Sequence, residues 1–81
     1  MQQAVQQQRE MSDFLPDSHE YLITEWDDKG EAIAVIPMFV REEAARNKFD
    51  LHVVNAQRYV KRITLHVLQH NNFALLMLQE W

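Results

Sequence analysis

Eighty-one residues are enough for one domain, 1–81, with one modest core; a chain of this size buries roughly 60% of the surface its unfolded form exposes. There is no cysteine and only one glycine, which excludes disulfides, thiolate metal sites and the glycine-rich loops that cradle phosphates. A net charge of −4 with 47% apolar residues describes a globular chain, too apolar to be disordered and with no run long enough for a membrane span.

The charge is unevenly spread. Residues 1–30 hold Arg9 and Lys29 against Glu10, Asp13, Asp17, Glu20, Glu25, Asp27 and Asp28, a balance of −5. Residues 55–81 hold Arg58, Lys61 and Arg62 against Glu80 alone, a balance of +2. The ends can pair within a chain or across a dimer, although exposed ion pairs contribute little by themselves.

In chain order, the glutamine-rich start predicts a helix over about 3–14, with Val5, Gln8, Met11 and Leu15 on one face. Pro16 ends it, and residues 1–16 read as a frayed helix or a tail. The clearest stretch follows. Glu20–Trp26 and Glu31–Pro37, both rich in β-branched and aromatic residues, flank the polar break Asp27-Asp28-Lys29-Gly30. This pattern predicts a β-hairpin, with Gly30 supplying the positive φ that its turn requires. Pro37 closes the second strand or lies on an edge, since it has no N–H to give a ladder. Arg41–Lys48 predicts the central helix, acidic in its first turn and basic in its last, with Asp50 at its exit.

Beyond Leu51 two patterns compete. As strands, Val60–Gln69 sets Ile63, Leu65 and Val67 on one face and Arg62, Thr64 and His66 on the other, with a turn at His70-Asn71-Asn72 and a return over Phe73–Glu80. As two helices, Val53, Ala56, Val60, Ile63, Val67, His70, Ala74, Met77 and Trp81 recur at spacings of three and four. The hairpin is preferred. The expected class is therefore α+β: N-terminal helix, β-hairpin, central helix, C-terminal β-hairpin.

Chemistry is sparse. His66 and His70 would share a helix face as a metal pair, but on a strand they stand about 13 Å apart, at about 3.3 Å per residue. Asp27-Asp28 suits a turn and Glu42-Glu43 suits a helix start, so neither needs a catalytic explanation. Ser12 and Ser18 lie in no glycine-flanked elbow. No catalytic residue, metal or cofactor is assigned, and an enzyme is not expected.

Two binding readings remain. Apolar side chains that so short a chain cannot cover mark a protein contact, with Trp26, Phe73, Leu76 and Trp81 as anchors. The expected partner is a second copy, giving a homodimer, or another protein, in a regulatory module that is cytoplasmic by its lack of targeting signals. The alternative is a nucleic-acid-binding regulator using the basic cluster around residues 41–62, chiefly Arg58, Lys61 and Arg62, in the order of a helix-turn-helix.

Overall fold

The computed structural model describes residues 17–81, and the helix expected over 3–14 lies outside them. The element order is β1 (Ser18–Trp26), β2 (Ala32–Arg41), α1 (Glu42–Val54), β3 (Arg62–Gln69) and β4 (Asn72–Glu80). All four strands form one antiparallel sheet in the order β2-β1-β3-β4, so β1 and β3 are central and β2 and β4 are edges. The domain is α+β, and its C-terminal half is the hairpin rather than two helices. Ile63, Thr64 and Val67 decide that outcome: β-branched side chains lose rotamer freedom in a helix and pack well on a pleated sheet.

Both hairpins turn on identifiable residues. At the first, Asp27 Oδ1 accepts the N–H groups of Lys29 and Glu31, each at 2.9 Å, and Gly30 takes φ +79°. At the second, His70 and Asn71 both have positive φ, 48° and 68°, the backbone twist that a two-residue antiparallel turn requires. His66 sits on β3 and His70 in this turn, so the pair does not share a helix face. Among the described residues no group of three or more metal-ligating side chains gathers.

Register fixes the two faces. Tyr21, Ile23 and Glu25 on β1 lie opposite Val67, Leu65 and Ile63 on β3, and this face meets α1. Tyr21, Ile23, Ile63 and Leu65 are fully buried there beneath Ala45 and Phe49 of the helix. Burial pushes the Tyr21 phenol above its ordinary range, with the nearby Glu42 carboxylate adding to the shift.

The helix is longer than its sequence suggests. It runs past Asp50, which stays exposed, to Val54, and the Asn55 N–H closes it on the Leu51 carbonyl at 3.0 Å. The reason is the stripe Ala45, Phe49, Val53, spaced by four, which keeps packing on the sheet beyond the acidic residue. Val60, expected on a strand, is instead a buried plug in the loop before β3.

Candidate interaction surface

The sheet's second face carries the same kind of residue as its first. Leu22, Thr24 and Trp26 of β1 point there, beside Val35, Pro37 and Phe39 of β2, Arg62, Thr64, His66 and Leu68 of β3, and Phe73, Leu75 and Leu78 of β4. An antiparallel sheet with one solvated face normally alternates apolar with polar. Here the alternation fails on β2 and β4, whose residues are apolar at both parities.

Among the described residues nothing packs on this open face, because α1 covers the opposite one. Phe39 stays 64% exposed, Val35 and Leu75 53%, Leu78 49% and Phe73 44%. Such side chains present about 150–200 Å² each, so together they leave on the order of 500 Å² of apolar surface open, divided between the β2 and β4 edges of the face.

One end of the face is closed by a polar cluster. The Trp26 indole N–H donates to Thr64 Oγ1 at 3.0 Å, which helps to bury Thr24 and Thr64 on an otherwise open surface. The Arg62 guanidinium stands 5.8 Å from the centre of the Trp26 ring, and its Nε lies 3.2 Å from a Glu80 carboxylate oxygen. The latter contact is an ion pair without an aligned hydrogen bond.

The four anchors read from the sequence do not form one patch. Trp26 and Phe73 are on the open face but at opposite ends, Phe73 beside Leu68 and the His70-Asn71 turn. Leu76 is half-buried at a bulge in β4, packed against the core. Trp81 lies past β4, donating its backbone N–H to the Lys61 carbonyl at 3.2 Å, with its ring 56% exposed beside Val53, Val54 and Ala56. The exposed apolar residues of the face, Val35 and Phe39 on one edge strand and Leu75 and Leu78 on the other, show in the sequence only as a loss of alternation, which requires the strands to be known first.

The basic residues are similarly dispersed. Arg58 and Lys61 are exposed in the loop between α1 and β3, and Arg62 is engaged by Trp26 and Glu80. Arg46 donates to Glu42 at 2.8 Å on the helix. The second helix that a helix-turn-helix needs is replaced by β3, so that frame is absent among the described residues.

On the helix side, an open cleft of about 380 Å³ is lined by Glu25, Lys48, Leu51, His52, Asn55 and Gln57. His52 Nδ1 lies 2.9 Å from Glu25 Oε2 within it, tying the end of α1 to β1. An imidazole oriented by a carboxylate is half of an acid–base device. The lining residues offer it no hydroxyl or thiol to activate, so the pair is sufficiently explained as a clamp.

Comparison with protein-family models, with curated proteins and with solved structures finds no match. No helix among the described residues is long and apolar enough to cross a membrane.

Proposed function

We propose that this chain is a small, non-enzymatic protein-interaction module, regulatory in role, acting in the cytoplasm as a homodimer that presents its open sheet face to other proteins. The observation that carries the reading is that face: apolar residues at both parities of β2 and β4, with none of the described elements above them. Leaving such a surface in water forgoes about 25 cal/mol for every Å² that a partner would cover. Large aliphatic and aromatic groups on rigid strands also lose little side-chain entropy on contact.

The exposed Leu78 of β4 serves better as a probe of self-association than Leu76 on the same strand, whose half-buried position would confound dissociation with unfolding. Static light scattering should give the dimer mass for the wild type and the monomer mass for Leu78→Glu, with both keeping the same circular dichroism. A wild type of monomer mass at several hundred micromolar would end the homodimer reading.

Nucleic-acid binding through Arg58, Lys61 and Arg62 stands second. Its support falls because Arg62 is already paired and the net charge of −4 repels a polyanion. Binding of mixed oligonucleotides at low salt, lost steeply as salt rises, would restore it.

A further inference from the structure

We infer that two copies of this chain pair edge to edge through β4, antiparallel about a two-fold axis at the Leu76 bulge, joining their sheets into one of eight strands. The inference rests on the homodimer reading and specifies its geometry.

The two sheet edges are treated differently by the sequence. On β2, Pro37 pairs with Leu22 in a position where its ring nitrogen faces away from β1. The outer edge of β2 thus lacks a donor at its middle, a standard device against strand addition. On β4, Asn72 to Gln79 contains no proline, no lysine and no charge. An uncharged, apolar edge of this length invites another strand.

The register tells which backbone groups are free. The two-residue turn makes Gln69 and Asn72 the closing pair, which exchanges both hydrogen bonds. At the other end the Trp81 N–H bonds the Lys61 carbonyl. Between them Asn72, Ala74, Met77 and Gln79 face β3 through their backbone, while Phe73, Leu75, Leu78 and Glu80 turn theirs outward. The bulge at Leu76 is what stretches the middle interval from two residues to three.

The outward residues are therefore spaced by two, three and two. That pattern reads the same in both directions. A two-fold axis between Leu76 and Met77 sets Phe73 against Glu80 of the second copy and Leu75 against Leu78 of the second copy, all as hydrogen-bonded pairs. About eight backbone bonds form, two from each such pair. Each bulge shortens its strand by the same amount, so the two edges match in length.

Side chains and charge agree with this pairing. Leu75 and Leu78 of both copies meet on the open face at the centre of the joint. Glu80 is the one ionisable residue of β4, and the antiparallel arrangement holds the two copies of it about 20 Å apart at about 3.3 Å per residue. A parallel pairing would set these carboxylates side by side. The joint leaves Val35 and Phe39, on the far side of each sheet, uncovered.

Amide exchange and size-exclusion chromatography of the full chain test the geometry. In the wild type at high concentration, the N–H groups of Phe73, Leu75, Leu78 and Glu80 should exchange as slowly as those facing β3, and far more slowly than those of Val35 and Phe39 on the opposite edge. Leu75→Pro deletes an outward donor only, and should raise the dimer dissociation constant roughly a hundredfold while circular dichroism is kept. Val35→Pro, the same change on the edge that Pro37 already blunts, and Phe39→Glu should leave the dimer intact. A dimer that survives Leu75→Pro but is broken by Phe39→Glu would overturn edge pairing in favour of face-to-face packing, with the homodimer reading intact. Slow exchange in a chain that elutes as a monomer would assign the edge to residues 1–16 and overturn both. Fast exchange at the four amides in a dimer would overturn the edge pairing alone.

Discussion

Leu65 and Leu78 are the same residue on neighbouring strands, on opposite faces of the sheet, and truncating each to alanine separates folding from association. Leu65 has no exposed surface, so Leu65→Ala removes buried methylenes and leaves a cavity, at about 2–5 kcal/mol. A domain of this length has roughly 4–12 kcal/mol of total stability, so this change alone should lower the unfolding midpoint by about 10–30 °C. Leu78 is 49% exposed, and Leu78→Ala should cost the isolated chain about 1 kcal/mol or less. Covering the open half of Leu78 in a dimer is worth about another 1 kcal/mol per copy. Across both copies that makes about 2 kcal/mol, a roughly 30-fold weaker dissociation constant. Thermal denaturation at low protein concentration reads the first quantity, and a dilution series by light scattering reads the second. If Leu78→Ala lowers the midpoint as far as Leu65→Ala, the face is covered within the monomer and the reasoning fails. If it leaves association untouched, the β4 surface is not the contact.

Other predictions follow from named contacts. Phe49→Ala removes the main buried anchor of α1 and should cost about 3–5 kcal/mol, with helical circular dichroism lost together with tertiary signals in one transition. Trp26→Phe leaves Thr64 Oγ1 without its donor and should cost about 1 kcal/mol by urea denaturation; no change would show the indole bond to be solvent-equivalent. Asp27 accepts the N–H groups of Glu31 and Lys29, which holds its carboxyl below the ordinary value of 3.8. Because the folded state lowers this value, the turn's contribution is fully present above about pH 4 and is lost as pH falls through the folded value. Carbon-detected NMR titration should find the Asp27 midpoint below the ordinary value, and Asp27→Asn should flatten the acid dependence of the hairpin.

The sequence made the hairpins legible because their turns need special residues. Gly30 and Asn71 mark backbone that few side chains tolerate, and the runs beside them are long enough to show a period. Ile63, Leu65 and Val67 could be assigned to one face, and the structure buries all three. The helix end is hidden in the sequence because Asp50 resembles a terminus locally, whereas Phe49 and Val53 decide it through contacts with strands distant in sequence. The interaction surface was the least legible part. Trp81 stands out by size, but the exposed apolar residues of the open face, such as Val35 on β2 and Leu75 on β4, acquire meaning only when register assigns them to one side of the sheet. The edge pairing depends on the bulge at Leu76, a backbone event with no side-chain signature.

Sedimentation equilibrium of the full-length chain, from low micromolar to several hundred micromolar, tests most directly whether it works by self-contact. A single monomer–dimer equilibrium, shifted toward monomer by Leu75→Pro and unmoved by Phe39→Glu, is the predicted result. Monomer mass throughout the range would contradict it.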